Sequence, residues 1–190
     1  GGRFALEAPL ALTATITLEQ SYSPIDGDSA SSTELYALLS SLSGIPLRQD
    51  VAVTGSVNQH GEVQAIGGVN EKVEGFFRVC NSRGLTGRQG VMIPAANVAD
   101  LHLGREVLEA VAADRFHVWA VDSVEDGIQV LTGRPAGEWS DEAGWAADGV
   151  YGGCQRRLDE MARQMRQAGR DPDKPAANGT AGDGENGGCG

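Results

Sequence analysis

The hydrophobic period of this chain switches repeatedly between two residues and about 3.6 residues, and that alternation constrains the fold more than any other feature. Residues 9–20 (PLALTATITLEQ) carry Thr13, Thr15 and Thr17 on one face and Ala14, Ile16 and Leu18 on the other, the pattern of a strand. Residues 30–42 place Leu35, Leu38, Leu39 and Leu42 at helical spacing, and Gly44 with Pro46 stops that helix. Residues 50–57 and 62–66 read as two strands joined by Asn58-Gln59-His60-Gly61 as a hairpin. Gly67-Gly68 breaks the pattern before a helix over 70–82, closed by Gly84, and residues 90–94 form a short buried strand. Residues 98–113 then read as a helix, 116–121 as a strand and 124–132 as a short helix. The order β-α-β-β-α-β-α-β-α predicts an α/β fold with a mixed sheet, in one unit over residues 1–133.

Beyond Gly133 the composition shifts. Residues 134–170 are expected to form an extension with one amphipathic, basic helix over 154–168, where Leu158, Met161 and Met165 make a stripe. Residues 171–190 are mostly Gly, Asn, Asp, Ala and Pro and are expected to be disordered. The formal net charge of -11 argues against a nucleic-acid partner, which calls for a basic stripe. Cys80, Cys154 and Cys189 are too few and too scattered for a disulfide framework and lack zinc-ligand spacing, so free thiols and a cytoplasmic location are expected, with no bound metal. No apolar run approaches the roughly 18 residues that would span a membrane, and none is expected as a partner.

Two side chains stand out as candidates for chemistry. Ser29, in Gly27-Asp28-Ser29-Ala30-Ser31, lies at a turn into a helix, where backbone N–H groups and the positive helix end suit a developing oxyanion. Taken alone, Ser, Asp and Gly are also common capping and turn residues. A nucleophilic serine needs a base. His60, His102 and His117 fall in a hairpin turn, a helix and a strand, and no Gly-x-Ser-x-Gly elbow pairs with any of them. Lys72 is the better base. It projects from the first turn of a helix, where the dipole disfavours a cation, and Val69, Val73 and Phe76 are expected to desolvate it. Taken alone, it is equally a solvated surface lysine.

The combination resembles the proteolytic domain of the Lon protease family. Gly27-Asp28-Ser29-Ala30-Ser31 is similar to the serine motif of the archaeal, B-type members. Val53-Thr54-Gly55-Ser56-Val57, then His60-Gly61-Glu62-Val63, then Ile66-Gly67-Gly68-Val69-Asn70-Glu71-Lys72 resemble the family's Thr-Gly, Gly-x-Val and Gly-Gly-x-x-x-Lys segments in order. The separation of 43 positions between Ser29 and Lys72 fits the family's dyad, and Val91-Met92-Ile93-Pro94 with Asn97 resembles a family strand and loop. The resemblance covers about residues 5–133.

This resemblance implies a ribosomal protein S5 domain 2-like fold and a serine endopeptidase that hydrolyses protein or peptide substrates through an acyl-enzyme. Ser29 would be the nucleophile and Lys72 the base, Thr54 would orient the lysine, and the backbone N–H groups of Asp28 and Ser29 would hold the oxyanion. It also implies a homo-oligomer, a hexamer in the family, coupled to an AAA+ ATPase module that binds ATP and Mg upstream. No Gly-x-x-x-x-Gly-Lys-Ser/Thr loop lies in this chain to hold a nucleotide. The family's domain carries further strands and a helix ahead of the serine, so an N-terminally truncated domain is expected here. A non-catalytic scaffold or oligomerisation module is the alternative; related folds of that kind lack the dyad.

Overall fold

The structure, a computed structural model, describes residues 3–4, 10, 12–16 and 28–168. Its centre is a parallel sheet of three strands, β1 (Val51–Val53), β4 (Gly90–Pro94) and β5 (His117–Val121), in the order β1-β4-β5. Val53 pairs with Met92, and Gly90 through Pro94 pair with His117 through Val121. Every residue of β4 is buried, as expected of a central parallel strand covered on both faces. The period of two then divides the core. Val91 and Ile93 point to one side, into a cluster with Val73, Phe77, Val107 and Phe116, whereas Met92 points to the other, toward Tyr36, Ile128, Val150 and Tyr151.

Helices α2 (Val69–Arg83) and α3 (Arg105–Ala112) supply the first cluster, and α1 (Ser31–Ser43), α4 (Val124–Thr132) and α5 (Val150–Ala168) the second. The antiparallel pair β2 (Ser56–Val57) and β3 (Val63–Gln64) forms the expected hairpin at the end of β1. A second hairpin, β6 (Trp139–Ser140) with β7 (Gly144–Trp145), precedes α5. The α/β class read from the sequence therefore holds. Gly90 is required by packing: a Cβ there would come within 2.3 Å of the His117 carbonyl oxygen. Burial on α5 pushes the Cys154 thiol up to about 11, so it behaves as a small apolar group.

Several expected elements differ. Of the strand expected over 9–20, residues 10 and 12–16 are described, form no strand and leave Leu10, Thr13, Ala14, Thr15 and Ile16 exposed. An alternating pattern needs a neighbouring strand to become sheet, and none pairs with it among the described residues. Residues 9, 11 and 17–20 lie outside the described residues, as does the tail over 171–190 that was expected to be disordered.

The strand expected over 50–57 breaks at Thr54-Gly55 into β1 and β2: the Thr54 N–H still bonds the Met92 carbonyl of β4, whereas the Gly55 N–H and carbonyl turn to Ser29 and Ser32. The helix expected over 98–113 is a 3-10 helix (Ala95–Asp100), an extended link and then α3. In that link the Gly104 N–H donates to Glu74 Oε1 (2.9 Å) and the His102 N–H to Asn70 Oδ1 (2.8 Å), so tertiary bonds to α2 replace the helical ladder. His102 is thus on a loop. Helix α5 starts at Val150, where Gly153 lets it cross α1 closely; a Cβ there would lie 3.2 Å from Ser43 Cα. On its expected stripe Leu158 is buried, while Met165 is 62% exposed.

Candidate active site

Ser29 sits in the turn into α1. Ala30 occupies the helix cap without a side-chain acceptor, so the start of α1 is held from elsewhere. The Ser32 N–H (3.3 Å) and Ser32 Oγ (2.8 Å) both donate to the Gly55 carbonyl, and the Val57 N–H donates to Ser31 Oγ (3.1 Å). Ser56 Oγ donates to Asp28 Oδ2 (2.8 Å). The Ser29 carbonyl itself accepts from the Gly55 N–H (2.8 Å) and from Thr54 Oγ1 (3.3 Å). The turn is thus stitched along residues 54–57. Gly55 packs tightly: a Cβ would sit 3.1 Å from Val63 Cγ1 and 3.3 Å from Ser32 Oγ, so those side chains would have to give by a few tenths of an ångström.

Lys72 comes to the same place from α2. Gly68 caps that helix with a left-handed φ of 67°, a conformation that favours glycine, and its carbonyl accepts from the Lys72 N–H (3.1 Å). The Lys72 side chain reaches back so that Nζ lies 3.2 Å from Ser29 Oγ and 3.3 Å from Thr54 Oγ1. Thr54 is buried at the end of β1, where its N–H donates to the Met92 carbonyl (3.0 Å). Its one hydroxyl proton serves the Ser29 carbonyl while its lone pairs face Lys72, so one side chain touches both partners.

The expectation that Val69, Val73 and Phe76 desolvate the lysine is not met. Val69 and Val73 are buried against the sheet, Phe76 is half-buried in the same cluster, and Lys72 lies on the exposed face of the helix. Neighbouring helical positions point in different directions, so apolar residues beside a lysine in sequence need not surround its amine. Ser29 is half-exposed, which leaves the pair open to solvent and to a large substrate.

The histidines are engaged elsewhere. His60 Nε2 approaches Gln59 Nε2, His102 Nδ1 the Asp100 carbonyl, and His117 Nε2 the Gly87 carbonyl (2.8 Å) while its ring stacks on Trp119. None of these places an imidazole at Ser29. Among the described residues no three of His, Cys, Asp and Glu gather as a metal site, and the sequence holds no Gly-x-x-x-x-Gly-Lys-Ser/Thr loop. No helix among the described residues is long and apolar enough to cross a membrane.

The sequence singled out Ser29, Thr54 and Lys72, and the fold brings all three together. It did not single out the side-chain bond from Ser56 to Asp28, nor the polar residues that hold the start of α2. Asn97, 4% exposed, donates from Nδ2 to the Ile66 carbonyl (3.1 Å) and accepts from the Ile66 N–H at Oδ1 (2.9 Å). Asn70 donates to the Asp100 carbonyl (3.0 Å). The sequence placed Asn97 only in a loop after a strand-ending proline; its burial, which obliges the amide to satisfy both polar atoms, is seen in the fold alone.

The family model that describes the Lon protease (S16) C-terminal proteolytic domain matches residues 12–132. A Lon protease homolog of Escherichia coli K12 is 44% identical over 165 residues, covering 87% of this chain and 27% of that protein. A Lon protease homolog of Haemophilus influenzae is 38% identical over 163 residues, 86% of this chain and 27% of its own length. The archaeal Lon protease of Methanocaldococcus jannaschii is 49% identical over 86 residues, 45% of this chain and 12% of that protein. The chain thus spans about a quarter of the length of the first two relatives.

Proposed function

The chain belongs to the Lon protease (S16) C-terminal proteolytic domain family, and on that premise we propose that it hydrolyses peptide bonds with Ser29 as nucleophile and Lys72 as general base. The observation that carries the reading is the approach of Lys72 Nζ to Ser29 Oγ (3.2 Å) with Thr54 Oγ1 beside it (3.3 Å).

In the proposed mechanism the neutral Lys72 amine takes the Ser29 hydroxyl proton as Oγ forms a bond to the scissile carbonyl carbon. The carbonyl π pair moves onto oxygen. The N–H groups of Asp28 and Ser29, which the family resemblance points to, are the proposed donors for that oxyanion; those of Ser31 and Ser32 are committed to the Asp28 and Gly55 carbonyls. Collapse breaks the C–N bond, and the Lys72 ammonium returns its proton to the leaving amine. Water then attacks the Ser29 ester, giving its proton to Lys72, and the free acid and Ser29 hydroxyl are regenerated. Thr54 orients the amine toward Ser29 throughout.

The substrates we infer are protein chains, delivered in the cytoplasm to a homo-hexamer by an AAA+ module that binds ATP and Mg outside this domain. The test uses the full-length protein with casein as substrate. Ser29→Ala and Lys72→Ala each abolish degradation while assembly persists. Full casein degradation by Lys72→Ala would remove the lysine from the reaction, and undiminished degradation by both variants would favour the scaffold alternative.

A further inference from the structure

Lys72 reaches Ser29 from a side chain that is largely in solvent, so its aim depends on how firmly the first turn of α2 is held. The two glycines before that turn have no side chains to pack, and a Cβ at Gly67 would meet nothing within 4 Å. The restraint lies one residue earlier. Both backbone polar groups of Ile66 are taken by the two amide atoms of Asn97, as a neighbouring strand would take them. Asn97 lies in the 3-10 helix that directly follows β4, and the same strand supplies the Met92 carbonyl that fixes the Thr54 N–H (3.0 Å). One buried strand therefore registers Thr54 through its backbone and the Lys72 turn through Asn97. Asn70 and Glu74, bonded to the link after Asp100, hold the next turns of α2 against the same segment.

We propose that Asn97 is a positioning residue for the reaction: its bidentate bond to the Ile66 backbone holds Lys72 within reach of Ser29 and Thr54. This rests on the dyad reading. Asn97 makes no hydrogen bond to Ser29, Lys72 or Thr54, so it acts through the Ile66 backbone that leads into the Lys72 turn. Leucine is nearly the size of asparagine but can satisfy neither Ile66 group. Aspartate keeps an acceptor for the Ile66 N–H and sets a second oxygen against the Ile66 carbonyl.

The experiment measures the rate at which a fluorophosphonate acylates Ser29 in the full-length protein, alongside kcat and KM for casein. Asn97→Leu slows acylation and kcat by about 100-fold with KM little changed, the scale expected when a reacting group is displaced by about 1 Å. Asn97→Asp gives a smaller loss, about tenfold. The decisive comparison is the double variant: with Lys72→Ala already in place, Asn97→Leu produces no further slowing, because a residue that acts only through the lysine has nothing left to position. Wild-type rates in both Asn97 variants overturn the proposal. A double variant slowed by the product of the single effects overturns it too, as does loss of the thermal unfolding transition in both Asn97 variants, which would assign the amide to folding. If Lys72→Ala itself acylates at the wild-type rate, the dyad reading fails first, an outcome separate from these.

Discussion

Thr54 Oγ1 stands between two partners that come from different parts of the chain, donating to the Ser29 carbonyl (3.3 Å) and accepting from Lys72 Nζ (3.3 Å). Among the described residues it is the one side chain hydrogen-bonded to both members of the pair, and it sits at the buried end of a strand. The geometry of the site is therefore set from beneath by the sheet, while the lysine arrives from the solvent side. Thr54→Val keeps the shape and removes both bonds. The expected result is a fall in kcat of about 10- to 100-fold, within the range a misplaced general base produces, with a stability loss of about 1 kcal/mol for the lost hydrogen bond. Thr54→Ser restores most of the activity, since it returns the hydroxyl. Steady-state casein kinetics and urea unfolding read the two effects separately.

Lys72→Arg separates a base from a mere positive charge. A guanidinium keeps the charge and reaches Ser29 as easily, but it does not give up its proton at any working pH. Activity at the level of Lys72→Ala is the expected outcome. Measurable turnover by the arginine variant would mean that the lysine serves electrostatics instead of proton transfer.

How much of this was legible before the structure follows the range of the forces involved. Ser29, Thr54 and Lys72 could be picked out because motif order and spacing survive in the chain, and β4 and α4 because their patterns are short and strongly punctuated. Ser123 with Asp126 forms a capping box at the start of α4, and Gly133 closes it in the left-handed region. The segment 98–113 misled because its apolar periodicity is helical throughout. Only Asn70 and Glu74, 32 and 30 residues before the His102 and Gly104 they bind, decide that the chain extends between Asp100 and Gly104. The exposure of Lys72 was hidden for a similar reason: which face of α2 meets the sheet is settled by Val69, Val73 and Phe77 acting together.

Asp50 gives a prediction in pH. Partial burial pushes its carboxyl up, but the hydrogen bond and charge of Arg48, joined by Arg88, outweigh that and hold it below the usual carboxylate range. A carboxyl depressed in the folded state stabilises that state above its unfolded value, near 4, and the gain disappears as acid takes the pH down through the folded value. Asp50→Asn removes this contribution. The variant should therefore be less stable than the parent at pH 6, with the gap closing below about pH 4. Thermal unfolding from pH 7 to pH 3 checks it, and a gap that stays constant across that range contradicts the assignment.

The sheet that supports Thr54 has one position where even a methyl group is too large. Gly90 faces β5, and a Cβ there would lie 2.3 Å from the His117 carbonyl oxygen and 2.6 Å from Trp119 Cζ3. The oxygen belongs to the backbone, so it cannot rotate away, and the whole β4–β5 pairing would have to open at its first residue pair. Gly90→Ala is expected to cost about 1–3 kcal/mol, the usual range for overpacking a tight core. Because Val53 pairs with Met92 only two residues further along β4, part of the shift should reach Thr54. The variant should lose activity at temperatures where it is still folded, whereas Ile128→Val, a deletion in the opposite core cluster, should lower the melting temperature and leave kcat unchanged. Equal loss of kcat in both variants at matched fractions folded would show that general loosening of the core, and not the register of β4, controls the site.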